Sequence, residues 1–163
     1  MVPLFDTVIL WAHLFSAVLF VGGSFFMWLV VMPASYLITE DESERTLIVG
    51  KIAKSFGRLT NPILVVLILT GLYNATWYLP SASALLGTGA GLLLLSKSVL
   101  VAVLVALIYA HNVYFGRKIV RLAREGKLDE LKALRKKSRI VSFANLGLMV
   151  VILALVAVMQ MSP

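Results

Sequence analysis

The apolar run from Leu92 to Phe115, LLLLSKSVLVAVLVALIYAHNVYF, carries a full charge at Lys97. It is long enough to cross a bilayer, which takes about 20 apolar residues. An ammonium group in mid-hydrocarbon costs roughly 3 kcal/mol on insertion scales. Such a group is tolerated where it faces the protein interior, a ligand or water. Any fold for this chain must house Lys97. The two histidines, His13 and His111, also lie in apolar sequence and are the other candidates for chemistry.

Of the 163 residues, 60% are hydrophobic and only 14% are charged, against about 25% charged in a soluble domain. This is the composition of a polytopic membrane protein, read as one domain over residues 1–163. There is no cysteine, so disulfides, thiolate metal sites and iron–sulfur clusters are excluded. Ten of the fifteen Lys and Arg residues lie between Arg117 and Arg139. Without interleaved aromatics this stretch reads as an orientation signal, and nucleic acid is not an expected partner. The first apolar segment lacks a basic n-region and is too long for the core of a signal peptide.

Four spans follow from the apolar pattern. Segment one runs from about Thr7 to Met32 and ends at Pro33, with His13, Ser16, Phe20, Ser24 and Met27 on one stripe. Small and polar residues on such a stripe suit close helix packing. Thr39 and Glu42 have capping-box spacing for a short surface helix, an amphipathic lead-in to the membrane. Segment two runs from about Asn61 to Leu79. Asn61-Pro62 is either a helix start or a kink. Segment three runs from near Leu85 to near Phe115, with Lys97, Val101, Leu104, Ile108 and His111 roughly on one stripe. It continues as RKIVRLARE and stops at Gly126, and KLDELKALRKKSR returns as the second arm of a charged hairpin standing off the membrane. Segment four runs from about Ile140 to Met161, with Ser142, Asn145, Met149 and Met159 on one face.

The fold class is therefore all-α: an integral membrane, antiparallel four-transmembrane-helix bundle with a charged cytoplasmic helical hairpin between helices 3 and 4. The two charged connections hold fourteen of the fifteen cations. By the positive-inside rule they are cytoplasmic and both termini face outward.

This topology sorts the polar residues by depth. His13, Lys97, Tyr73 and Asn74 share an outer layer. His111 lies fourteen residues beyond Lys97, about 21 Å along a helix, in an inner layer with Asn145. One metal or haem from a single chain cannot readily take both histidines. In the outer layer a neutral imidazole beside a lysine is a coherent pair. The alternatives are a lysine snorkelling to the headgroups and a packed histidine. For His111 the readings are a structural histidine bonded to Asn145, or a second-site ligand with Met27 or Met32. The six methionines are core filler or soft ligands for copper.

Three stretches resemble the CopD and HemJ-like group of small four-helix membrane proteins. They are WAHLFSAVLFVGGSFF with His13 and Gly22-Gly23, FGRLTNPILVVLILTGLY with Phe56 and Thr70-Gly71, and LLLLSKSVLVAVL with Lys97. The CopD resemblance implies copper uptake or tolerance. The HemJ resemblance implies protoporphyrinogen oxidation on haem b held by a first-helix histidine and a third-helix lysine, positions that fall on His13 and Lys97. The basic residue that HemJ-like first helices carry after the glycine is missing between Trp28 and Pro33.

The expected function is a haem b-binding membrane protein with a redox or porphyrin-handling role. If it is an enzyme, it is a membrane oxidoreductase of protoporphyrinogen oxidase or cytochrome b type. His13 is the axial ligand, and Lys97 is the second ligand or a propionate partner. Tyr73 and Asn74 hydrogen-bond around the site, and Ser16, Ala17, Gly22 and Gly23 leave a porphyrin cleft. The alternative is a copper transporter using His13, Met27, Met149 and Met159. A third reading is a membrane anchor whose basic hairpin binds an acidic partner or anionic lipid. Expected partners are the lipid bilayer, a second copy of the chain and a membrane redox partner.

Overall fold

The computed structural model describes residues 3–77 and 83–161, the last three by backbone alone. Leu79, Pro80 and the first residues of the SASALLGTGAG turn lie outside the described residues, as do the Met159 and Met161 side chains. Four helices are long and apolar enough to cross a membrane. They are α1 (Leu4–Ile38), α2 (Glu42–Ala75), α4 (Gly89–Arg124) and α5 (Leu128–Met161), with the single turn α3 (Ala84–Gly87) ahead of α4. Only helices or closed barrels satisfy every backbone group in lipid, and this chain is an integral membrane helical bundle.

The long helices alternate in direction, α1 packing along α2 and α4 along α5. Each long helix gives one residue to a central apolar layer of Phe20, Leu64, Leu104 and Met149. The opposite faces, such as Leu14, Phe15, Val18 and Leu19 on α1, are exposed. On a membrane helix these residues form the lipid-facing surface.

Several boundaries differ from the sequence reading. The first helix does not end at Pro33. It widens into a π-helical stretch over Met27–Val31 and continues as α-helix to Ile38. A proline clashes with the carbonyl four residues earlier in a regular helix. The wide turn just before Pro33 relieves that crowding, a recognised way for a helix to absorb a break. The cap of α2 is Asp41, whose side chain accepts from the Ser43 and Glu44 amides at 2.7 and 3.2 Å. Thr39 instead donates to the Glu44 carboxylate at 2.7 Å, so the capping box is not formed. The expected surface helix is the first part of α2, which runs unbroken through Pro62. The helix α4 starts at Gly89, where the Thr88 hydroxyl accepts from the Gly91 amide at 3.0 Å.

The helix stop at Gly126 is present, with φ at +67°. The Lys127 amide bonds back to the Leu122 carbonyl at 3.1 Å, the closing contact of a Schellman turn, where glycine avoids the left-handed penalty. At this turn Lys127 meets Glu125 at 3.0 Å. The hydrogen bond from Lys127 holds the Glu125 carboxyl below its ordinary pKa. The contact therefore helps the turn above the ordinary carboxylate range and fades as pH falls through the lowered value.

The hairpin that follows does not stand off from the bundle. Leu122, Ala123, Leu131 and Leu134 form a second core with Leu47 of α2, Phe115 and Ile119. Arg135 pairs with Glu42 at 3.2 Å and donates to the Thr46 hydroxyl at 3.1 Å. The apolar stripes of the hairpin and of α2 cover one another, leaving most of the hairpin's cations other than Arg135 outward. Leu131 is 0% exposed, so Leu131→Ala should cost about 2–5 kcal/mol through its cavity. The expected readout is a lower melting temperature and faster tryptic cleavage between Lys132 and Arg139. Cleavage at the wild-type rate would contradict the docked hairpin.

Candidate functional site

Two polar levels flank the central apolar layer. Along α4, Lys97 lies seven residues to one side of Leu104 and His111 seven to the other, about 10 Å each way.

The first level is built on the α1–α2 contact. His13 Nδ1 lies 3.1 Å from the Leu67 carbonyl and 3.0 Å from the Thr70 hydroxyl oxygen. The Thr70 hydroxyl proton is directed to the Val66 carbonyl at 2.6 Å. Both neighbours of Nδ1 are therefore acceptors, which assigns the proton to Nδ1 and leaves the Nε2 lone pair for a ligand. The ring lies against Gly71, where a Cβ would come 3.0 Å from its Cε1. An imidazole whose other N–H is held by a carbonyl is the usual arrangement of a metal-ligating histidine.

Lys97 is half-buried on α4. Among the described residues it makes no recorded hydrogen bond or ion pair. Asn74 lies one turn beyond Thr70 on the same face of α2. It is 8% exposed, and among the described residues neither end of its amide has a hydrogen-bond partner. Buried amides are nearly always paired, so this level is polar beyond what the chain itself satisfies. Ser16 is buried on the His13 side of α1. Tyr73 is turned elsewhere: its hydroxyl donates to Asp6 at 2.7 Å, and its ring packs edge-on to Phe5 and Trp77.

The expected porphyrin cleft between the first two helices is not open at Gly23. A Cβ there would meet the Phe56 ring at 2.6 Å. Glycine serves here to let an aromatic ring approach the α1 backbone.

The second level is built on α4 and α5. His111 Nε2 lies 2.8 Å from the Ser138 hydroxyl and 3.2 Å from that of Ser142, and its ring stacks on Phe115. The expected bond to Asn145 is not made. Asn145 is buried with an unpartnered Oδ1, and Ser142, one turn before it, holds the imidazole instead. His111 opens a π-helical stretch, His111–Gly116. It lines a cavity of about 220 Å³ together with Met27, Met32, Trp28, Ser138 and Ser142. Met149, by contrast, is packed in the central layer, apart from this cavity.

Thr70, the Leu67 carbonyl and Ser138 are the partners that sequence reasoning missed. Thr70 had a usable signal, lying one turn from Asn74. Ser138 sits in a KKSR run that reads as solvated, and only the docked hairpin makes it an inward residue.

Among the described residues no three His, Asp or Glu side chains converge as a metal cluster. A four-span helical membrane protein with histidine on two polar levels is the class the structure defines. A family model described as Copper resistance protein D matches residues 50–159, and the chain belongs to that family, CopD. The matched part covers the second, third and fourth spans and the hairpin, and begins after His13. No curated protein and no solved structure matches the chain.

Nitrogen-15 NMR of labelled protein should show His13 protonated at Nδ1 and bare at Nε2. Thr70→Val should keep the Leu67 bond and cost about 1 kcal/mol of stability. A proton on Nε2 would contradict the assigned tautomer.

Proposed function

We propose that the protein handles copper within the membrane, with His13 Nε2 as a ligand. The observation that carries this reading is the anchored imidazole, its Nδ1–H held by Leu67 and its second nitrogen free, in a chain of the copper-resistance family. Lys97 supplies a second nitrogen at the same level. The unpaired Asn74 amide offers an oxygen to the ion or its water, and Ser16 adds a small polar neighbour. Tyr73 acts as a positioning residue by tying α2 to the start of α1 through Asp6. By the positive-inside rule the charged connections face the cytoplasm and the termini face outward. His13 then lies in the extracytoplasmic half, where arriving copper would meet it first. Nitrogen donors, imidazole above all, suit copper better than hard cations such as magnesium or calcium.

Haem b on His13 and Lys97 has less to rest on. The family match points to copper, and Phe56 fills the space at Gly23. The same holds for the porphyrin-oxidising activity that haem would imply.

Protein purified from copper-supplemented cells should carry copper by elemental analysis and show no Soret band. His13→Ala should weaken Cu(I) binding at its level at least about tenfold, equivalent to about 1.4 kcal/mol. A Soret band lost in His13→Ala would replace the copper reading with haem. Protein free of copper would overturn it outright.

A further inference from the structure

We infer that the cavity at the charged end of the bundle is a second copper site, specific for Cu(I), with Met27, Met32 and His111 as its ligands. This rests on the copper reading of the protein and adds to it a separate site in the opposite half of the membrane.

The first support is convergence. Met27 and Met32 come from α1 and His111 from α4, two helices far apart in sequence, yet all three line one cavity of about 220 Å³. A water occupies about 30 Å³ of liquid, so there is room for an ion with part of its hydration. Met27 and His111 are the first residues of the two π-helical stretches. Such wide turns re-aim side chains and recur at functional sites. Pro33 accounts for the need to relieve α1, but no proline stands near His111–Gly116, so packing rules alone do not call for the second one.

The second support is the state of the side chains. Met149 is 3% exposed and packed on all sides, as core filler is. Met27 and Met32 are only half-buried and border empty space. The His111 ring is fixed by Ser138, Ser142 and Phe115. With Nε2–H donating to the serines, Nδ1 keeps its lone pair. With the other tautomer, a metal at Nε2 takes the place of the serine protons. Either way the ring orientation is set in advance, which lowers the cost of ligation.

The third support is charge. No carboxylate lines the cavity, and two cations do, Arg135 and Arg139. Arg135 is offset by Glu42 at 3.2 Å, leaving Arg139 as the opposing charge. A monovalent ion held by thioethers is opposed less than a divalent one, and thioether sulfur selects Cu(I) over harder cations. The apolar layer of Phe20, Leu64, Leu104 and Met149 separates this site from His13, so the two sites do not share one ion.

The test is titration of the full-length, detergent-purified protein with Cu(I) against a chromogenic Cu(I) chelator. It compares wild type, His13→Ala, the double variant Met27→Leu with Met32→Leu, and His111→Gln. Leucine conserves volume at methionine positions, and thermal melting checks the fold. The double variant should lose about ten- to a hundredfold in affinity at one class of site, a loss of the size seen when a metal's surroundings are disturbed, while the His13-dependent class is unchanged. His111→Gln should produce the same loss, and it carries the prediction if the methionine variant melts early. A double variant and a His111→Gln protein that both titrate as wild type would overturn the second site and leave the copper reading standing. A wild type that binds no Cu(I) would overturn both.

Discussion

Hydrocarbon offers no hydrogen-bond partner, so each polar side chain in these spans must be met by another part of the chain or by a bound species. That constraint organises the bundle. His13 is met by the Leu67 carbonyl and Thr70, and His111 by Ser138 and Ser142. Each contact ties one helix to its neighbour, the first joining α1 to α2 and the second α4 to α5. The pairings that hold the imidazoles are therefore also the ones that align the helices. Among the described residues, what stays unmet is equally informative: both ends of the Asn74 amide and the Asn145 carbonyl oxygen.

Between the two polar levels, large apolar side chains close the bundle, and glycines set how near the helices come. Gly71 lets the His13 ring lie against α2, and Gly23 lets the Phe56 ring lie against α1. At the charged end the same logic operates in water, where Leu122, Leu131 and Leu134 bury against Leu47 and turn a run of cations into a folded cap.

The sequence made the four spans, the two polar levels and the helix stop at Gly126 legible, because hydropathy and a left-handed glycine are local signals. The length of α1 was not legible. Pro33 reads as a terminator unless a preceding π turn is known, and such a turn depends on neighbouring helices. The cap at Asp41 lies two residues past the Thr39 that the motif favoured, since Thr39 found the Glu44 carboxylate instead. Ser138 and the docking of its hairpin were hidden by charge, because a basic run reads as solvated until its leucines are seen to meet Leu47. The pairing of His111 with Asn145 failed by a single helical turn, a distance that side-chain spacing alone does not resolve.

The chain is a membrane bundle of the copper-resistance family whose imidazoles sit on two levels, one held by Leu67 and Thr70 and the other lining a cavity with Met27 and Met32. The most direct measurement of that account is X-ray absorption at the copper edge on the Cu(I)-loaded, full-length protein. The account predicts a mixed shell of nitrogen and sulfur scatterers, with sulfur lost when Met27 and Met32 are both leucine. A shell of nitrogen and oxygen alone, unchanged by those substitutions, would contradict it.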